Sequence, residues 1–309
     1  MSRYVRSPRV QKRIRKQRRR LLLAAGAVVL AIVLLLTAIL HSCSSHKNAE
    51  EQVSSSIVED MIIQDRYEGE KIIPKYAVAK NTLSDSKFSA LNGITSYAGA
   101  VNGVDVSSWQ GSIDWKEVKA SGMDFVMIRV GYRGQTTGTI QADSRFTENM
   151  KGALSAGLKV GVYFYSQAIS KAEAEKEADY VIQQIKPYQV TWPVVFDWEP
   201  GNDETISTIS EAGGLRTNSE TPEEVTQYTA AFCKRIQAAG YKPAYYCNKT
   251  MGYTVFDLKE LEAYQIWYAE YKNLPSFYYH FNIWQYTQKG KINGITGTVD
   301  LNISFQKYA

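Results

Sequence analysis

The stretch Trp192-Pro193-Val194-Val195-Phe196-Asp197-Trp198-Glu199-Pro200 decides how the rest of the chain is read. Val194, Val195 and Phe196 form an unbroken apolar run of β-branched and aromatic residues, which suits a strand covered on both faces in a parallel sheet. Within a strand, residues i and i+2 share a face, so Asp197 and Glu199 point the same way with Cα atoms about 6.7 Å apart. Two acids at the C-terminal end of a parallel strand occupy the place where α/β barrels keep their chemistry.

Working outward, strand-like runs recur at 103–107, 125–131, 159–166, 242–248, 265–271, 281–287 and 298–303, which makes eight with 193–199. Helical patterns separate the first five. Asp114 is placed to cap the helix that opens at Trp115. Phe146, Met150, Ala153 and Leu154 recur at helical spacing, and Gly157 ends that run. Ser170 and Glu173 form a capping box for a helix that must stop before Pro187. Thr221, Pro222 and Gly240 bracket another, as cap, first residue and terminator. Strand–helix alternation of this kind implies a parallel sheet with helical crossovers. The gaps 272–280 and 288–297 are too short for a crossover, which takes about a dozen residues or more. The final third is therefore expected as strands joined by loops, with a local switch to antiparallel pairing accommodated. The predicted fold is α/β, a modified TIM-like barrel over residues 101–309.

The formal charge of +5 misleads, because residues 1–20 hold ten Lys or Arg and no acid. The remaining chain carries 26 basic against 31 acidic residues, so no basic face for nucleic acid is implied. Residues 21–40 lack charge and are long enough to span a bilayer. The expected organisation is a basic cytoplasmic tail (1–20), a transmembrane anchor (21–41), an extracellular stalk (42–100) and a catalytic barrel (101–309). Positive charge before the span puts the body outside the cell membrane. Leu40-His41-Ser42-Cys43 offers a lipoprotein-type anchor as the alternative. Within the stalk, 50–66 reads as a short amphipathic helix with Val53, Ile57 and Met61 on its apolar stripe. Cys233 and Cys247 read as two buried thiols or one bridge. Three cysteines and three histidines supply no metal-ligand spacing, no Ser-His-Asp triad and no cofactor motif.

Two further acids stand inside apolar strands, where a charge is costly unless paired or used. They are Asp105, in Gly103-Val104-Asp105-Val106, and Asp300, in Val299-Asp300-Leu301. First and last strands neighbour each other in a closed barrel, so Asp105 and Asp300 should meet and join Asp197 and Glu199 on one rim. Tyr163, Tyr165, Trp198, Tyr245, Trp267 and Trp284 are candidate sugar contacts, offering an apolar face and a polar edge. The excess of Tyr (21) over Phe (10) fits a wet cleft. Carboxylates with aromatics, and no nucleophilic Ser or Cys constellation or phosphate loop, point to glycoside hydrolysis.

These residues carry a resemblance. Asp105-Val106-Ser107 with Trp109-Gln110-Gly111, Gly161-Val162-Tyr163-Phe164-Tyr165, Phe196-Asp197-Trp198-Glu199, Trp267-Tyr268-Ala269, Trp284-Gln285-Tyr286 and Val299-Asp300-Leu301-Asn302 together resemble glycoside hydrolase family 25 lysozymes, in a membrane-anchored bacterial form. The resemblance implies a (β/α)5(β)3 barrel and N-acetylmuramidase activity on peptidoglycan. It implies Glu199 as general acid and Asp197 as the group that orients the substrate acetamide; an inverting reading, with an aspartate activating water, stays open as the alternative. Asp105 and Asp300 would hold the sugar, with Tyr163 and Trp284 at aromatic family positions. The polar insert 201–220 departs from the family pattern. A chitinase of the family 18 type also carries Asp-x-Glu, but has a further aspartate where this chain has Val195. A non-catalytic wall-binding module is the remaining alternative.

Overall fold

The structure, a computed structural model, describes residues 59–200, 215–217 and 219–308. The expected tail, the transmembrane anchor at 21–41 and Cys43 lie outside the described residues. Among the described residues no helix is long and apolar enough to cross a membrane.

Eight strands close a barrel: β5 (Val101–Val106), β6 (Phe125–Arg133), β8 (Lys159–Ser166), β9 (Val194–Trp198), β10 (Pro243–Asn248), β11 (Gln265–Ala269), β12 (Ile283–Gly290) and β13 (Val299–Ser304). A short strand, β7 (Ile140–Ala142), pairs antiparallel with the outer end of β6. Helices α1 (Trp115–Ala120), α2 (Phe146–Ser155), α3 (Lys171–Ile185), α4 (Pro222–Ala238) and α5 (Lys249–Thr254) follow the first five barrel strands in turn. The last three strands have no such helices, which makes the order (β/α)5(β)3. The caps form where the sequence puts them. Asp114 accepts from two backbone N–H groups, Ser170 accepts from Glu173, and Thr221 and Glu224 make a reciprocal capping box.

Seven barrel strands run parallel, and β13 runs antiparallel to both β12 and β5. This reversal decides where Asp300 lies. It is near the start of its own strand, yet its register partner is Asp105, near the end of β5. Both acids therefore face the same mouth of the barrel.

Side chains alternate between two environments. Val194, Phe196 and Trp198 pack outward against the helices, while Val195 joins Phe125, Met127, Trp192, Ala244, Tyr246, Trp267 and Ile283 in the barrel interior. Phe125 stacks on Trp192 with ring centroids 4.2 Å apart, and Tyr308 packs edge-on against Trp192. These rings plug the lower half of the lumen. Gly103 leaves the room, since a Cβ there would lie 2.5 Å from the Phe125 ring. The upper half is lined by polar groups, as the barrel chemistry requires.

The region expected as a stalk is, over residues 59–100, a folded addition lying on the barrel. Strands β1 (Asp60–Asp65) and β2 (Gly69–Pro74) form one hairpin, and β3 (Phe88–Leu91) and β4 (Ile94–Tyr97) form another. The described part of the helix expected over 50–66 is β1, whose burial alternates with period two. Asp65 closes the first turn by accepting from the N–H groups of Tyr67 and Glu68. Asn92 (φ 52°) and Gly93 (φ 78°) make the second turn, the left-handed pair that suits a two-residue hairpin. Lys249 of α5 ties the first hairpin down through Asp65 (2.9 Å), Glu68 (2.8 Å) and Glu270 (3.1 Å). Phe88 and Tyr97 of the second pack edge-on against Trp284 and Phe305.

Cys233 and Cys247 are both buried and free. Burial raises both thiol pKa values, so these side chains behave as small apolar groups.

Candidate active site

Asp105, Asp197 and Asp300 converge on the mouth at the C-terminal ends of the parallel strands, with Glu199 one step beyond the end of β9. Asp105 Oδ2 accepts from Asn302 Nδ2 (2.7 Å) and Gln285 Nε2 (2.9 Å). The Asp300 carboxyl is also within hydrogen-bonding reach of Asp105. Burial, with the neighbouring Asp105 charge, raises Asp300 to about 9. Of the two, Asp300 is the one pushed further toward its protonated form, which suits a carboxyl–carboxylate contact with Asp105. Burial also raises Asp105, while the Asn302, Gln285 and Asp300 donors pull it back.

Asp197 and Glu199 are placed differently. Asp197 is 6 % exposed, and its Oδ1 has no hydrogen-bond partner among the described residues. Burial lifts its carboxyl well above the usual range, the Glu199 and Asp105 charges add to this, and Arg129 opposes it. Burial likewise raises Glu199. A backbone strut sets its position: Gln167, fully buried, donates Nε2 to the Glu199 carbonyl (2.8 Å). Gln167 in turn accepts from Thr217 at Oε1 and from Arg216 at its carbonyl. Arg216 also pairs with Glu173. The returning end of the insert, Leu215–Thr217, therefore braces the strand end that carries Glu199.

Of the aromatic candidates, Tyr163 and Trp267 lie in the mouth. Their rings meet edge-to-face at 5.6 Å, and Trp267 Nε1 donates to Asn302 Oδ1 (2.8 Å). Tyr165 pairs in register with Asp197, and its hydroxyl accepts from Gln135. Burial pushes that phenol up to about 12, the Glu199 charge adding, so it stays a neutral hydrogen-bonding group. Trp198, Tyr245 and Trp284 point the other way, a correction to the sequence reading. Trp198 donates Nε1 to the Ala168 carbonyl, Tyr245 packs on Phe256, and Trp284 is covered by Phe88. The reason is parity, since each sits one residue out of phase with an inward neighbour.

Those neighbours line the mouth; the sequence reading placed Tyr246 and Tyr271 among the rim aromatics but did not choose them as sugar contacts. Tyr246 meets the Trp267 ring at 5.2 Å and donates to Gln285 Oε1, which Tyr271 also reaches at 2.9 Å. Arg129 is a further omission. It projects from β6, pairs with buried Asp143 (2.8 Å) and donates to Ser108 Oγ. Arg129, Gln285 and Asn302 are polar residues inside apolar strands, the same signal that revealed Asp105. Among the described residues no group of three or more His, Cys, Asp or Glu side chains is arranged to hold a metal ion.

The arrangement offers buried Asp197 and half-buried Glu199, both with raised carboxyl pKa values, beside a hydrogen-bonded carboxyl pair, with aromatic faces around them. This set suits proton transfer to a sugar oxygen.

Comparison with known proteins agrees with this chemistry. The chain is 27% identical over 214 residues to lysozyme M1 of Streptomyces globisporus, covering 65% of this chain and 67% of that protein. It is 28% identical over 206 residues to the autolytic lysozyme of Clostridium acetobutylicum, covering 65% of this chain but only 55% of that protein. Among solved structures, the modular autolysin LytC of Streptococcus pneumoniae superposes with a TM-score of 0.58 at 21% identity, over 80% of this chain and 56% of that one. A family 25 glycosyl hydrolase from Bacillus anthracis gives 0.55 at 22% identity, over 73% and 95%. These two structural likenesses establish the shared fold. Glycosyl hydrolases family 25 matches residues 104–295, well over half of the sequence, and the chain belongs to that family.

Proposed function

We propose that the protein is an N-acetylmuramidase, cutting the β-1,4 bond between N-acetylmuramic acid and N-acetylglucosamine in peptidoglycan. The observation that carries this reading is the Asp197–Glu199 pair, a buried and a half-buried carboxyl with raised pKa values on one face at the end of β9. Glu199 is the general acid: with its pKa raised by burial, it gives its proton to the glycosidic oxygen as the bond to the anomeric carbon breaks. Asp197 has a buried oxygen without a donor, which suits acceptance of the acetamide N–H of the muramic acid ring. Held so, the acetamide carbonyl oxygen attacks the anomeric carbon, and water then opens the cyclic intermediate with ionised Glu199 as base. Asp105, kept in place by Asn302, Gln285 and Asp300, binds the sugar.

Mass spectrometry of products from purified glycan strands tests the reading. Fragments with a new reducing end at N-acetylmuramic acid support it. Reducing ends at N-acetylglucosamine would overturn the bond assignment, and binding without products would support a wall-binding module instead.

The reading also has the barrel outside a bacterial cell membrane, tethered through residues 21–41. Its support is the uncharged run and the basic residues before it. Protease accessibility of the barrel in intact spheroplasts is the expected result, and protection until lysis would refute it.

A further inference from the structure

A groove of about 740 Å³ adjoins the barrel mouth, between the second N-terminal hairpin and the outer end of β12. Its walls include Asn92, Thr95, Tyr271, Lys272, Lys289 and Lys291, and among the described residues no acid lines it. All three lysines are exposed and make no ion pair among the described residues. Lys272 lies over the Tyr67 ring at 5.4 Å, so the first hairpin helps to hold it. Thr95 fixes the opposite wall by donating its backbone N–H to the Tyr286 hydroxyl. Lys289 stands where β12 slips register against β13 between Thr287 and Gly290.

Continuity links this groove to the site. Tyr271 is 45 % exposed and lines it, while its hydroxyl donates to Gln285, which donates to Asp105. A ligand in the groove therefore begins two hydrogen bonds away from a carboxylate of the cleft. One groove wall comes from residues 90–95, which precede the family-matched segment.

We propose that this groove takes the carboxylate-bearing peptide stem of the glycan strand being cut. The proposal rests on the muramidase reading above. On that substrate the stem branches from the muramic acid ring, whose anomeric carbon is the reacting atom, so an anionic chain must leave the cleft beside the site. Three unpaired ammonium groups with no acid among them complement such a chain, and they act within a screening length of about 8–10 Å. The amides of Asn92 and Asn273 add hydrogen-bonding partners for its backbone.

The test measures kcat/KM on three uncross-linked glycan preparations: stem-bearing, stem-free, and stem-bearing with an attached polyol-phosphate polymer. Wild type is expected to prefer stem-bearing over stem-free strands by about tenfold, from three exposed charges of modest individual worth. The K272Q/K289Q/K291Q variant should lose that preference, and so should wild type at high salt. A preserved ratio in the variant, or an equal loss on both substrates, would overturn the proposal. Preference for the polymer-bearing strands alone would assign the groove to phosphate instead and also overturn it. Failure of wild type to cut any of the three would remove the muramidase reading itself, a result distinct from activity without stem preference.

Discussion

Asp105 and Asp300 face each other across an antiparallel strand pair, and the amides of Asn302 and Gln285 complete the setting of Asp105. Asp197 and Glu199 share one parallel strand end, and their carboxyls make no hydrogen bond among the described residues. The first pair is finished as a structure. The second is left open, at the free-energy cost that a buried, unpartnered polar group carries. A fold keeps such a group where a substrate completes it, which supports the proposed division: chemistry at the open pair and the holding of the sugar at the closed one.

The sharpest way to break this comparison is at Glu199. Glu199→Gln keeps the shape and removes the proton, and should lower kcat by about 10³-fold on natural strands, within the usual range for a general acid. Next is Asp197→Asn, expected to cost about 10²-fold in kcat with a smaller change in KM, because its partner is strengthened in the transition state. Steady-state kinetics on one glycan preparation would separate the two.

A milder perturbation falls on the closed pair. Asn302→Ala takes a donor from Asp105 and the acceptor from Trp267 Nε1, so denaturant unfolding should show a loss of about 1–3 kcal/mol. A pH slope probes the same pair through its proton. Asp300 has its folded pKa raised to about 9, above the usual value near 4, so the folded state binds the extra proton between those limits. Its contribution to stability is complete below the unfolded pKa and fades as pH rises through the folded one. Wild type should therefore lose Tm relative to Asp300→Asn between about pH 4 and 9. Parallel Tm curves for the two proteins would contradict the proton assignment.

Most of the barrel was legible because its signals are local and redundant. All eight strand runs and four capped or glycine-ended helices come from composition and terminators that need no tertiary information. Asp105 and Asp300 were legible through the cost of a charge inside an apolar strand, and barrel closure then brought them together. Parity was harder. In β10 and β12 nearly every residue is buried, so the pattern does not reveal which face is inward, and Tyr245 and Trp284 were chosen over Tyr246 and Gln285. Register settles it: Ala244 pairs with inward Val195, which turns Tyr246 inward and Tyr245 out. The two hairpins escaped for another reason. Their strands are four to six residues long, too short for a sustained period, although Asn92-Gly93 is a turn signal of the kind that hairpins use.

The added hairpins also change how the mouth is bounded. Trp284 and Tyr286 resemble family aromatics, but here Phe88 and Thr95 lie against them. Thr95 and Tyr286 also line the flanking groove, whereas Trp284 lies buried under Phe88.

The most direct test compares reducing-end release from the same purified, uncross-linked strands by wild type, Glu199→Gln and Asp300→Asn. The account predicts Glu199→Gln at about 10⁻³ of wild type and Asp300→Asn within about tenfold of it. Greater damage in Asp300→Asn than in Glu199→Gln, or substantial turnover by Glu199→Gln, would contradict the division between an open, reacting pair and a closed, holding one.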